Sequence, residues 1–145
     1  TNEYGIHVPF VAYWDGKVQP SQVNNNLVDF SDFLPTFCEV AGVELNETFV
    51  TDGISFLPQI TGEKYTAHNY LFCHFNPGKS DFPQKRFVHN GEWKLYDDGN
   101  IYNVTKDPKE ENPIKESELN GDVKSLILTY KGVLNKMKPE EIAKE

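Results

Sequence analysis

Long apolar runs are missing from this 145-residue chain. No stretch approaches the roughly 18 residues that a membrane-spanning helix needs. Cations are scarce too: 14 Lys and Arg stand against 22 Asp and Glu, a net charge of −8. That balance argues against nucleic acid and against an anionic membrane surface, since both call for a Lys/Arg surplus. Cysteine is limited to Cys38 and Cys73, with no Cys-x-x-Cys and no His/Cys cluster. A zinc site is therefore not expected. Each thiol sits in an apolar context (Thr36-Phe37-Cys38 and Leu71-Phe72-Cys73), where Cys packs as a small hydrophobe; two unbridged thiols are expected ahead of a disulfide. No acidic cluster has the spacing of a hard-metal site. Asp97-Asp98 is the only Asp pair, and Asp98-Gly99 reads as a turn. No internal repeat is visible.

What is present is aromatic. Phe, Tyr and Trp make up 13% of the residues, enough to build the core of one domain. The chain opens abruptly. Tyr4-Gly5-Ile6-His7-Val8-Pro9-Phe10 reads as a glycine turn running into a strand over 8–14 buried on both faces. Chains seldom start inside a core element, so the expectation is a piece of a larger protein, with residues 6–14 exposing apolar surface.

A helix follows, with Leu27, Phe30, Leu34, Phe37, Val40 and Ala41 at spacings of three and four. Asp29 and Ser31 compete as its N-cap, Pro35 suits its first turn, and Gly42 its C′ position. Asp32, near the N-terminus of this helix, suits the dipole and is expected to tie down nearby backbone. Asp52-Gly53 marks a turn before a short helical segment, Phe56–Ile60, that stops at Gly62.

The second half changes character. Tyr70–Phe75 reads as a strand, and 76–84 as a loop. Strand-like runs around Phe87, Trp93-Lys94-Leu95-Tyr96 and Ile101-Tyr102-Asn103 are joined by Asn90-Gly91 and Asp98-Gly99. Those dipeptides are the strongest hairpin signals a sequence offers. Val123 to Met137 is amphipathic, with Val123, Leu126, Ile127, Tyr130, Val133, Leu134 and Met137 on one face. The expected fold class is α+β: an antiparallel sheet of about four strands packed with a C-terminal helix, preceded by a strand-helix unit. The expected boundaries are 1–66, 67–138 and a frayed tail at 139–145.

The order of these pieces resembles a known family. Glu3-Tyr4-Gly5-Ile6-His7-Val8-Pro9-Phe10 is similar to the Glu-Gly-Gly-Ile-Arg-Val-Pro-Phe segment of type I, formylglycine-dependent sulfatases of the alkaline-phosphatase superfamily. Trp14-Asp15-Gly16-Lys17 resembles their Trp-Pro-Gly-Lys. Asp32-Phe33-Leu34-Pro35-Thr36 matches Asp-Leu-Leu-Pro-Thr. Asp52-Gly53-Ile54-Ser55-Phe56-Leu57-Pro58 matches Asp-Gly-x-Ser-Leu-x-Pro. Gly91-Glu92-Trp93-Lys94-Leu95, Ile101-Tyr102-Asn103 and Asp107-Pro108-Lys109-Glu110-Glu111-Asn112 resemble the family's C-terminal run. Tyr4, His7 and Asp15 depart from the pattern. Together the motifs cover about residues 3 to 114.

The resemblance implies the C-terminal part of a sulfatase, with residues 1–66 closing its large α/β domain. The parent would hydrolyse a sulfate ester, on a sulfated carbohydrate, using calcium and a formylglycine. Neither Cys38 nor Cys73 lies in the Cys/Ser-x-Pro/Ala-x-Arg context of the formylglycine precursor. The calcium ligands and the catalytic Lys of the family belong upstream of Thr1. So no catalytic residue and no metal ligand is expected in this chain, and the chain alone is expected to be inactive. Its partners would be the missing N-terminal sulfatase domain and the sulfated carbohydrate, with a homo-oligomer through exposed core surface as the other way to cover that surface. His7 and His74 are the candidate substrate contacts. His89 and His68 are expected at the surface, and Lys94 is expected to pack its stem and keep its head in water. Two further readings stay open: a phosphodiesterase or phosphonate hydrolase of the same superfamily, and an autonomous carbohydrate-binding or interaction module.

Overall fold

The computed structural model describes residues 1–46, 48–78 and 81–137. The expected tail at 139–145 lies outside the described residues. The chain forms two compact units: Thr1–Val8 together with the region from Tyr70 onward, and Pro9–Asn69. No described helix is long and apolar enough to cross a membrane.

The first unit is built on a four-stranded antiparallel sheet in sequential order. Its strands are β1 (Leu71–Phe75), β2 (Lys85–His89), β3 (Trp93–Tyr96) and β4 (Ile101–Asn103). Both turns form where the sequence places them. Gly91 and Gly99 sit at φ 86° and 91°, a region that glycine enters without penalty. Asn90 Oδ1 accepts the Glu92 and Trp93 N–H groups, and Asp98 Oδ1 accepts that of Asn100. This fixes the register: Val88 opposite Leu95, Leu95 opposite Ile101, and Lys94 between His89 and Tyr102.

Period-two alternation then sorts the side chains into two faces. Val88, Leu95 and Ile101 face the helix α4 (Gly121–Lys136) and form the core with Leu119, Ile127, Tyr130 and Leu134. Asn120 caps α4 by accepting the Val123 N–H, which satisfies one of the helix's orphan donors. Phe87, His89, Lys94 and Tyr96 share the other face and are buried as well. His89 is therefore not a solvated hairpin residue: it lies on a covered face, with its ring 5.8 Å from that of Phe87.

The leading strand does not form. Glu3–Ile6 make one helical turn, α1, and residues 7–14 have no regular structure. A strand needs a partner backbone, and no sheet pairing is made by these residues. The expected exposure is there instead: Val11 is 87% exposed, and Val8, Phe10 and Tyr13 are also open.

In the second unit, a 3-10 turn at Phe30–Asp32 leads into α2 (Phe33–Ala41). Asp29 is the N-cap, in a reciprocal capping box with Asp32. Gly42 and Gly62 end α2 and α3 (Leu57–Thr61) in the left-handed conformation, as expected of C′ glycines. Phe10, Phe33 and Phe56 meet edge to face at 5.2–5.5 Å, a favoured aromatic geometry.

Candidate functional site

The motif around Asp32 is a polar hub. Its carboxylate is 1% exposed. Oδ2 accepts the Asp29 N–H at 2.7 Å and Oδ1 the Ile54 N–H at 2.8 Å. His68 Nε2 lies 2.9 and 3.0 Å from the two oxygens. His68 is thus tied down rather than at the surface, because a buried carboxylate needs donors on every side. Thr36 continues the hub: its hydroxyl donates to the Asp32 carbonyl at 2.6 Å and accepts the Phe56 N–H at 3.0 Å. A Cβ on Gly53 would stand 2.0 Å from the Ser31 carbonyl oxygen. The Asp52-Gly53 turn read from the sequence does not form; residues 51–56 run without a turn, and only glycine lets this segment lie so close to the 3-10 turn. Asp32 ties down backbone, as read from the sequence, and its role is structural.

A second polar cluster lies on the Lys94 face of the sheet. The Lys94 ammonium is fully buried, against the expectation of a head in water. Nζ donates to Glu110 Oε1 at 2.7 Å and to the Thr1 carbonyl at 2.5 Å, and stands 4.1 Å from the Phe87 ring centroid. Tyr96 donates its hydroxyl proton to Glu110 Oε2 at 2.5 Å. Burial pulls Lys94 below the ordinary lysine range, and the bond to Glu110 pulls it back up. Burial, then the same carboxylate, holds the Tyr96 hydroxyl well above its usual value. Glu3 nearby is pushed up by burial, against the pull of Lys94 and His7. Sequence reasoning missed this cluster. The signal was the same-face spacing of Phe87, Lys94 and Tyr96 in the predicted hairpins, with an acidic motif following.

His7 is exposed, with Nδ1 3.8 Å from Glu3 Oε2. His74 is exposed on β1 opposite Arg86. Each is thus accessible, but no contact between them is seen. No disulfide links Cys38 and Cys73, and both are half-buried. Among the described residues, no group of three or more His, Cys, Asp or Glu could hold a metal ion. None of these carboxylate arrangements fits a calcium site.

The family described as N-sulphoglucosamine sulphohydrolase, C-terminal, matches residues 1–138. An ulvan-active sulfatase of Formosa agariphila is 40% identical over 70 residues, covering 48% of this chain and 14% of that protein. A further sulfatase of the same organism is 33% identical over 138 residues, 79% of this chain and 25% of its own length. The solved structure of BT4656 in complex with its substrate D-glucosamine-2-N,6-O-disulfate shares the fold. It has a TM-score of 0.60 at 22% identity and covers 77% of this chain and 25% of that one. The chain spans a quarter or less of the length of these proteins.

Proposed function

We propose a supporting part in sulfate ester hydrolysis for this chain, which belongs to the family of C-terminal domains of N-sulphoglucosamine sulphohydrolase. The observation that carries the reading is the match over residues 1–138, spanning both units. On this reading the nucleophile, a formylglycine, and the calcium ion belong to the rest of the sulfatase. The chain's own residues pack and shape one side of a substrate cleft.

Sulfuryl transfer develops negative charge on the sulfate oxygens and the leaving oxygen, and positioned donors and cations stabilise it. His7 and His74 are accessible and can donate to sulfate or sugar hydroxyls. The substrate class is a sulfated carbohydrate. BT4656, which shares the fold, is seen in complex with a sulfated sugar as its substrate, and an ulvan-active sulfatase is among the relatives. The exposed Phe10, Val11, Tyr13 and Trp14 suit a surface covered by the N-terminal catalytic domain. A homo-oligomer through the same surface is the competing occupant, and would show as a concentration-dependent mass in solution.

The test is hydrolysis of an aryl sulfate and of an aryl phosphodiester, by the chain alone and joined to the N-terminal region of a sulfatase. The joined protein should cleave the sulfate ester, and the chain alone neither ester. Preference for the phosphodiester would sink the assignment in favour of a phosphodiesterase. His7→Ala and His74→Ala in the joined protein should each raise KM roughly tenfold on a sulfated sugar with kcat little changed, the mark of lost uniform binding.

A further inference from the structure

We propose that the cleft at the turn end of the sheet unit binds an anionic saccharide, with Lys85 and Lys109 meeting its charge and Tyr102, Asn2 and Asn100 its hydroxyls. This site would add an anchoring point for the sulfated carbohydrate, and so rests on the sulfatase reading. The cleft has a volume of about 230 Å³, and Thr1, Tyr96, Asp98 and Glu110 complete its lining. That is below the roughly 300 Å³ at which sites for drug-sized ligands begin, so it suits one sugar residue and its charged substituent.

The charge balance inside the cleft favours an anion, although the chain as a whole is acidic. Of the two carboxylates in the lining, Glu110 has its charge paired, and Asp98 keeps its charge, one against the two lysines. Glu110 takes the Lys94 ammonium and the Tyr96 hydroxyl. Asp98 accepts the backbone and side-chain N–H groups of Asn100. Neither Lys85 nor Lys109 makes an ion pair among the described residues. The Lys85 ammonium stands 5.2 Å from the Tyr96 ring centroid, which keeps it at the cleft without neutralising it.

Backbone geometry points the same way. Glu110 holds φ 59°, a left-handed conformation uncommon outside glycine and concentrated at functional sites. It sends the Glu110 carboxylate inward to Lys94 and leaves Lys109 exposed at the rim. The Tyr102 phenol, in the cleft lining, offers a hydroxyl that can donate or accept. Cations beside phenol and amide groups match a ligand carrying both sulfate or carboxylate and hydroxyls.

Isothermal titration of the 145-residue chain with a dextran sulfate oligosaccharide tests this. Saturable binding is expected. Lys85→Ala/Lys109→Ala should weaken it roughly tenfold, two partly exposed charge contacts' worth. The pair Lys64→Ala/Lys124→Ala, exposed lysines outside the cleft, should change it by less than about twofold. Circular dichroism checks that both variants are folded, as expected for surface positions. The inference is overturned if binding does not saturate or if the control pair weakens it as much. It is also overturned if inorganic sulfate or polyphosphate binds as tightly as the oligosaccharide. Activity is not read in this experiment, so failure of the sulfatase reading and failure of this site are separate outcomes.

Discussion

The two units of this chain are held together by opposite means. The sheet unit has a dry apolar core between β2–β4 and α4, in which Val88, Ile127 and Tyr130 are fully buried. The Pro9–Asn69 unit buries little apolar surface. Its most buried side chains include Asp32 and Thr36, which bind backbone, while Phe30, Phe37 and Val40 stay exposed. Burial contributes about 25 cal/mol per Å² of apolar surface, and the second unit forgoes much of that. Its shape comes instead from hydrogen bonds to Asp32 and Thr36, from one glycine contact and from the small cluster of Phe10, Phe33 and Phe56. Such a unit specifies geometry while leaving apolar surface open, which accords with the supporting part proposed above.

The sharpest way to break this contrast is inside the sheet unit, where an ion pair sits on the covered face. Lys94→Met would leave the Glu110 carboxylate buried without its cation. Loss of one partner of a buried pair costs about 3–5 kcal/mol, so thermal unfolding should move down by many degrees. Adding Glu110→Gln should recover part of that loss, because it removes the uncompensated charge. If the single variant melts like the parent, the pair is not buried in solution.

A smaller effect is expected in the other unit. Gly53→Ala would drive a methyl group into the Ser31 carbonyl, and overpacking of this kind costs about 1–3 kcal/mol, occasionally more. Because the hub around Asp32 depends on that approach, amide protection should fall at Ile54 and Phe56 while Val88 and Leu95 keep theirs. Loss of protection in both units together would show that they do not open separately.

Much of this architecture was legible because it is written in local chemistry. Asn90-Gly91 and Asp98-Gly99 announced the hairpins, Gly42 and Gly62 the helix ends, and the spacing of Ile127, Tyr130 and Leu134 the face of α4. The errors came where a residue's fate depends on distant partners. The apolar run at 8–14 signalled a strand, but no local rule supplies a neighbouring backbone to pair with. The habit of a lysine side chain points its head to water, yet Glu110 and the Thr1 carbonyl hold the Lys94 head inside. His68 met Asp32 across a long separation in sequence. For the candidate site, His7 and His74 are exposed, and their part in substrate binding is a proposal. The Glu110 conformation, which sends its carboxylate to Lys94, was not readable, because a left-handed glutamate has no sequence signature.

The smallest expected effect concerns Tyr130, at the centre of the core. Its ring meets Tyr70 edge to face, but its buried hydroxyl has no hydrogen-bond partner among the described residues. An unsatisfied buried polar group is a cost, so Tyr130→Phe should be neutral or stabilising by up to about 1 kcal/mol at neutral pH. Burial, with lesser effects of Glu92 and Tyr70, raises the pKa of this hydroxyl above the ordinary 10.0 of tyrosine. A raised folded value means that the native state keeps a proton which the unfolded state releases. Stability is therefore unaffected below pH 10 and falls as pH climbs above it. Tyr96 is raised in the same sense, whereas the lowered Lys94 opposes it by favouring loss of its proton on folding. Tyr102 is raised as well, so Tyr130→Phe removes one of three tyrosine contributions without touching the Lys94 cluster. Urea unfolding at pH 8 and pH 11 should show a shallower alkaline loss in the variant than in the parent. Equal losses would mean that the Tyr130 hydroxyl reaches water or a partner in solution, and that the core of the sheet unit is less dry than its packing indicates.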